Sequence, residues 1–278
     1  MSSVAPIQRR RGVPLADALG DMISSRPGIF GIYARNLGTG ERVAINADRV
    51  LPAESAAKTF VLVHYARLVS SEGVDPAARV RLDGSARYPG TGVLRHLADG
   101  LEPTLDDLAW LMIVVSDNTA TAMLIASIGG PGAVNATMRE PGYPTAQLNE
   151  SITFEDALKG QPFSTSSPRD LAEVYTRLDD RCRAILFRQQ HLIGLPRRLP
   201  HAALAADFGI TMPVRVYNKT GNGLGNFIDS GLIETDTASW VVAAMATEQT
   251  DFASRPDDSA PIAFGEIAEK LYETWAQS

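Results

Sequence analysis

The sequence predicts an α+β fold: an antiparallel five-stranded sheet built from both termini, flanked by helices, with an all-helical lobe inserted between the two halves. Three observations carry this. Residues 29–48 read as a hairpin, strand-like segments return after Pro213, and the long stretch between them is patterned for helices. One domain is expected, with a sheet lobe over about 12–52 and 205–278 and a helical lobe over about 53–204.

In the hairpin, IFGIYARN (29–36) and ERVAINAD (41–48) are joined by the glycine-containing turn LGTG. SAAKTFVLVHYARLV then sets Val61, Tyr65, Leu68 and Val69 on one helical face. TLDDLAWLMIVV opens with a capping-box pattern, Thr104 to Asp107. SPRDLAEVYTRLDDRCRAILF reads as one further helix with Pro168 near its start. After Pro213, VRVYNKT, FIDSGLIET and SWVVAAMA read as strands, the first two joined by the turn GNGLGN. The closing IAFGEIAEKLYETWA aligns Ile267, Leu271, Tyr272 and Trp275 in one apolar stripe. A cleft is expected where the lobe meets the sheet.

Composition excludes several function classes. With 45% hydrophobic and 21% charged residues in 278, the chain has apolar surface enough for a large core, which rules out disorder. The formal charge of −6, from 26 basic and 32 acidic residues, argues against a nucleic-acid partner, whose phosphates need clustered Lys and Arg. The one cysteine, Cys182, read as half-buried, has no disulfide partner. Without CxxC or a closely spaced His pair, no metal or organic cofactor is expected. Arg9, Arg10 and Arg11 precede PLADALGDMISSRP, whose charges break any apolar signal core, so no signal peptide is read and a cytoplasmic protein is expected. The longest uncharged run, Asn118 to Met138, is interrupted by Gly129, Gly130, Pro131 and Gly132, a helix and its stop and not a membrane span.

Of the 26 basic residues only Lys58, Lys159, Lys219 and Lys270 are lysines. In an arginine-rich chain a lysine marks a place for a compact amine that can lose its proton. Two of these four fall in short elements that occur in order: Ser55-Ala56-Ala57-Lys58, Ser116-Asp117-Asn118 and Lys219-Thr220-Gly221. Each alone has a plain structural reading as a helix cap or a strand end. A given tripeptide arises in a chain of this length only about a few times in a hundred, so their joint order carries weight.

The spacing also fits a mechanism. Positions i and i+3 share a helix face, so the Lys58 amine reaches the Ser55 hydroxyl if a helix starts there. A serine becomes nucleophilic when a base takes its proton, and a lysine with a pKa lowered by burial and nearby cations is such a base. The helix N-terminus favours the alkoxide. Lys219 supplies a second cation across the cleft, and Ser116 relays a proton.

These three elements are those of class A β-lactamases and penicillin-binding proteins, which the chain resembles over nearly its whole length. The likeness extends to GVLRHL, TLDDLAWLMIVVSDNTATAMLI, IGGPGAVNA, TSSPRDLA, RQQ (188–190) and the KTG strand followed by SGLI. The resemblance implies Ser55 as the acylated nucleophile, Lys58 as its activating amine and Ser116 as proton shuttle. Asn118 would contact the substrate amide and Lys58; Lys219 and Thr220, followed by Gly221, would bind substrate on the far wall. The backbone N–H groups of Ser55 and Asn222 would form the oxyanion hole.

Two departures stand out. The class A enzymes carry E-x-x-L-N in the loop after IGGP, whose Glu activates the water that releases the acyl group. Here the Leu148-Asn149 pair puts Thr145 in that place, and counting forward without gaps puts Ile152 there. Glu150 and Glu155 are the nearby substitutes. On the strand after KTG, many of the lactamases have a cation before the Gly of GI or GL; this chain has Ser230, preceded by Asp229, an acidic neighbour expected to repel a substrate carboxylate.

The histidines His64, His96, His191 and His201 are scattered, and His64, off the face of Lys58, reads as structural. The sequence therefore points to a serine hydrolase acting on a small-molecule β-lactam, amide or ester, with no nucleic-acid or membrane partner. The alternatives are an esterase, amidase or acyltransferase with little lactam turnover, and a non-turnover acyl-binding protein.

Overall fold

A computed structural model describes residues 14–71, 73–140, 142–149, 162–251 and 255–276. Five strands form one antiparallel sheet in the order β2-β1-β8-β7-β6, where β1 is Ile29–Asn36, β2 Arg42–Ile45, β6 Arg215–Gly223, β7 Asn226–Glu234 and β8 Ser239–Thr247. The N-terminal hairpin joins the C-terminal meander through β1 and β8, with Ile32 opposite Ala244, as the position of the two strand groups predicts.

Both faces of this sheet are covered, which is why β8 is apolar throughout. Alternate residues serve two cores. Trp240, Val242, Ala244 and Ala246 face the terminal helices, α1 (Leu15–Ser24) and α8 (Ser259–Trp275); Val241, Ala243 and Met245 face the helical lobe. Phe264 of α8 lies 6.4 Å from Phe30 and 5.1 Å from Phe227, and Trp275 stacks edge-on to Trp240 at 6.1 Å. Each such pair contributes roughly 0.5–1.5 kcal/mol beyond its area burial.

The lobe on the other face holds α2 (Lys58–Ser71), α3 (Leu105–Val114), α4 (Asn118–Ser127) and α5 (Gly130–Arg139). The Thr104–Asp107 capping box forms in both directions, at 3.0 and 2.9 Å. A small second sheet, β3 (Leu51–Pro52), β5 (Ser164–Ser166) and β4 (Gln147–Leu148), ties the entry to the lobe to the far end of its loop. No described helix is long and apolar enough to cross a membrane.

Four expectations are corrected. Strand β2 stops at Ile45, short of residue 48, because Asn46 turns left-handed at φ 48° and donates to the Phe30 carbonyl at 2.7 Å. The single helix expected over 167–187 is broken into α6 (Pro168–Glu173), a 3-10 turn (Val174–Arg177) and α7 (Asp180–Phe187). The break has a cause: the Asp179 carboxylate accepts the Cys182 N–H at 2.8 Å and caps a new helix. Cys182 is fully buried, not half, beneath the Leu62 carbonyl. Ser55 sits in a 3-10 turn, Glu54–Ala57, and the α-helix proper begins at Lys58.

Candidate active site

The nucleophile turn is built by three contacts. Ala53 N–H donates to the Ser164 carbonyl at 3.0 Å, and the Ser164 hydroxyl donates to the Glu54 carbonyl at 2.9 Å. On the other side the turn presses against β6, the outermost strand, which offers it unpaired backbone groups. A Cβ on Gly221 would lie 2.8 Å from both the Ala53 carbonyl and the Ala56 nitrogen, so this approach needs a glycine. Lys58 caps this turn three residues after Ser55 and opens the α-helix. Both line a cavity of about 240 Å³ with Asn118, Asn222 and an apolar wall that includes Ile125 and Phe163.

Lys58 is 2% exposed, and its ammonium donates to the Ser116 carbonyl at 2.7 Å, the Ser116 hydroxyl at 3.1 Å and Asn118 Oδ1 at 2.8 Å. Lys219, entirely buried, donates to the same Ser116 hydroxyl at 3.1 Å. Two amines thus converge on one oxygen. Burial, and then the charge of Lys219, hold Lys58 well below the usual lysine pKa, against the pull of Asp117. Burial brings Lys219 down to about 7, with Asp229 opposing.

The Ser116 turn is held in a left-handed conformation, φ 56°, which a non-glycine residue adopts only under outside constraint. That constraint is Asp117. Its buried carboxylate accepts N–H groups from Val93 at 2.7 Å, Leu94 at 2.8 Å and Ala120 at 2.9 Å, capping α4 and clamping the GVLRHL segment. A Cβ on Gly92 would come within 2.2 Å of the Asp117 carboxyl carbon. Asn118 is oriented from its other end by donation to the Pro89 carbonyl at 2.8 Å.

The structure places Ser55, Lys58, Ser116, Asn118, Lys219 and Asn222 in one cluster, with Gly221 as its close-packed seam. Thr220 is buried at 3% exposure, its register partner being Asp229. Glu150, Glu155 and Ile152 lie outside the described residues. The Leu148–Asn149 pair is part of the loop's anchor: Leu148 pairs with Ser164, and Asn149 donates to the Phe163 and Pro162 carbonyls at 3.0 and 2.7 Å. Thr145 is consumed by Asp170 at 2.6 Å and Ser167 at 3.0 Å, so that register supplies no base. Among the described residues no group of His, Cys, Asp or Glu is arranged to hold a metal. His64 is structural, bonded to Thr137 at 2.8 Å and the Ile128 carbonyl at 3.0 Å.

The expected carboxylate repulsion by Asp229 is corrected by strand alternation. Ser230 shares the face of Lys219 but is fully buried, its hydroxyl 3.2 Å from that of Tyr175, which in turn meets Thr59 at 3.0 Å. Asp229 points to the opposite face, accepting from Leu195 N–H at 2.8 Å and Asn218 Nδ2 at 2.9 Å. Burial pushes its pKa up to about 7 despite these bonds. Because the folded pKa exceeds the unfolded one, ionised Asp229 destabilises the fold progressively as pH rises from about 4 to about 7. Asp229→Asn should therefore gain stability relative to the wild type across that window, by about 1–3 kcal/mol at pH 8. Asn218 Oδ1, without a partner among the described residues, can accept from the new amide. Urea unfolding at pH 5 and pH 8 measures the change; an equal difference at both would refute it.

Sequence reading passed over two residues here. Asp117 was inside a recognised tripeptide, but its clamp on Val93 and Leu94 is a long-range contact. Glu54 lines the cavity beside Ser55; its signal was a lone charge in the otherwise uncharged LPAESAA.

The family model described as the beta-lactamase enzyme family matches residues 14–275. A beta-lactamase of Streptomyces fradiae is 32% identical over 155 residues, 54% of this chain and 50% of that protein. One of Streptomyces cellulosae is 31% identical over 254 residues, 83% of this chain and 75% of that protein. The chain thus spans about half the length of the first relative and three quarters of the second. Among solved structures, PBP-A superposes with a TM-score of 0.80 at 25% identity, covering 94% of this chain and 95% of that one; a PBP-A mutant is also solved as an acyl-enzyme complex with penicillin G, with the same figures.

Proposed function

The chain belongs to the β-lactamase enzyme family, and we propose that it is a serine hydrolase that forms an acyl-enzyme at Ser55 with a β-lactam or a related amide or ester. The convergence of the Lys58 and Lys219 amines on the Ser116 hydroxyl, under a serine that lines an open cavity, carries this reading.

Neutral Lys58 takes the Ser55 hydroxyl proton as Oγ attacks the carbonyl carbon. The carbonyl π electrons move to oxygen, where the N–H groups of Ser55 and Asn222 meet the charge as it develops. Collapse of the tetrahedral intermediate breaks the carbon–nitrogen or carbon–oxygen bond. The leaving atom takes the proton of Ser116, which Lys58 restores. Lys219 stabilises negative charge at Ser116 during the relay and adds positive potential for a substrate carboxylate, whereas Thr220, the register partner of Asp229, lies on the reverse face of the sheet. Asn118 holds Lys58 and offers its amide edge to the substrate.

A second reading, an enzyme that acylates readily and releases slowly, is favoured by one observation: neither register of the loop supplies the water-activating glutamate, Thr145 standing there in one and Ile152 in the other. Whole-protein mass spectrometry after exposure to a panel of penicillins and activated esters tests the proposal. A mass increase equal to the acyl group is expected, and Ser55→Ala should abolish it. An adduct that survives this substitution would place the nucleophile elsewhere.

A further inference from the structure

We propose that Glu54 is a substrate-contacting residue of this site: its carboxylic acid donates a hydrogen bond from Oε2 to the acyl substrate beside the nucleophile, whereas its carboxylate obstructs acylation. The proposal rests on Ser55 acylation as argued above and adds a group to that chemistry.

The geometry puts Glu54 there deliberately. Its side chain lines the same cavity as Ser55 and Asn222. It lies along the edge strand, where a Cβ on Gly223 would sit 2.4 Å from Oε1 and one on Gly221 2.9 Å from the Glu54 Cβ. The glycines on either side of Asn222 therefore leave the space this side chain fills. The backbone of Glu54 is left-handed, φ 48°, a conformation of about 1–3 kcal/mol strain for a residue with a side chain, here imposed by the Ser164 contacts.

One carboxyl oxygen is committed. Asn226 Nδ2 donates to Oε1 at 2.9 Å, which makes Oε1 an acceptor and leaves any acid proton on Oε2. Among the described residues Oε2 has no hydrogen-bond partner, and it is free to donate into the cavity. Burial raises the pKa of this group, with the Asn226 bond opposing, so the acid form extends to higher pH than for an exposed glutamate. The neutral acid adds a donor next to the oxyanion N–H groups. The anion sets a negative charge beside the place where the oxyanion develops, and repels a substrate carboxylate. The substrates favoured are acyl donors with a hydrogen-bond acceptor, an amide carbonyl or a carboxylate, flanking the reactive carbonyl.

Other titrating groups lie around the same space: Lys58 from α2 and Tyr88 line the cavity, and Lys219 of β6 is buried behind it on the Ser116 hydroxyl. His191 is coupled to both amines. Strand β5 brings only Ser and Thr, and the acidic Asp229 of β7 is on the reverse face. All of these remain when Glu54 alone is changed, so a ratio of rates isolates its titration.

The experiment measures Ser55 acylation by penicillin G and by p-nitrophenyl acetate, quenched and read by intact mass, for wild type, Glu54→Gln and Glu54→Ala between pH 5 and pH 8. The amide of Glu54→Gln is a permanent neutral donor. Its rate relative to the wild type should rise about tenfold from pH 5 to pH 8, as expected for a unit charge acting over several ångströms at an intermediate dielectric. Glu54→Ala should be slower than Glu54→Gln at every pH, because it removes the anion without supplying a donor. The ester, which lacks a flanking acceptor, should show a smaller gap between these two variants. Parallel pH profiles for wild type and Glu54→Gln, with Ser55 still labelled, would overturn the role of Glu54 alone. No labelling of Ser55 in any variant by either probe would overturn the acylation reading and this proposal with it.

Discussion

Lys58→Met is expected to lower the rate of Ser55 acylation by about 10²–10⁴-fold, the loss typical of removing a positioned general base. In the proposed mechanism the buried amine takes the serine proton, and burial together with the charge of Lys219 lowers its pKa well below that of a free lysine, which favours the neutral base. Methionine matches the lysine stem in length and leaves the packing of α2 intact, but it cannot accept a proton. Lys58→Arg should be nearly as slow for a different reason: guanidinium keeps the charge and does not deprotonate. The pH profile of the wild type follows from the same group. As pH falls, the amine protonates, and acylation should fall with it on the acid side. Quenched-flow mass spectrometry with a chromogenic lactam measures the step, and the melting temperature of each variant controls for folding. A Lys58→Met protein that acylates within tenfold of the wild type would remove Lys58 from the mechanism and leave Lys219, through Ser116, as the remaining amine.

The parts of this site legible in the sequence were those whose chemistry is local. Ser55 and Lys58 sit three apart, and a spacing of three keeps two side chains on one face in an α-helix or a 3-10 turn, which is why both line one cavity although the helix starts later than expected. The five strands were legible because turns rich in glycine separate runs of β-branched and apolar residues. What escaped was set by contacts distant in sequence. The clamp of Asp117 on Val93 and Leu94 depends on two loops meeting. The break at Leu178–Asp179 was hidden because a pair of aspartates reads equally as a solvated helix face and as a cap; only the packing of α7 against β6 chooses. The Asp229 error was avoidable. Strand alternation puts the partner of Lys219, Ser230, on the site face and so forces its neighbour Asp229 to the other.

The acyl-enzyme formed with a penicillin is expected to persist for many minutes. In the proposed reaction acylation draws on Ser55, Lys58 and the backbone N–H groups of Ser55 and Asn222, residues that line one cavity. Release needs a second base, one that activates water against the ester, and neither register of the loop supplies the glutamate: Thr145 is locked to Asp170 and Ser167, and the ungapped register carries Ile152. Losing such a base costs about 10²–10⁴-fold in the hydrolytic step alone, so the adduct should accumulate while acylation stays fast. Mixing enzyme with a penicillin, quenching at intervals and following the intact mass gives both rates from one series. Ile152→Glu should then shorten the adduct lifetime by at least about tenfold, without a matching rise in acylation, because it adds a base for water and nothing for Ser55. Rapid multiple turnover by the wild type with no trapped adduct would mean that Glu150, Glu155 or Lys58 already activates the water; Glu150→Gln and Glu155→Gln would identify a carboxylate if one is used. If penicillin leaves no adduct and no product while an activated ester is still cleaved, the cavity excludes lactams. Persistence was then the wrong expectation, and the molecule is an esterase built on the same serine.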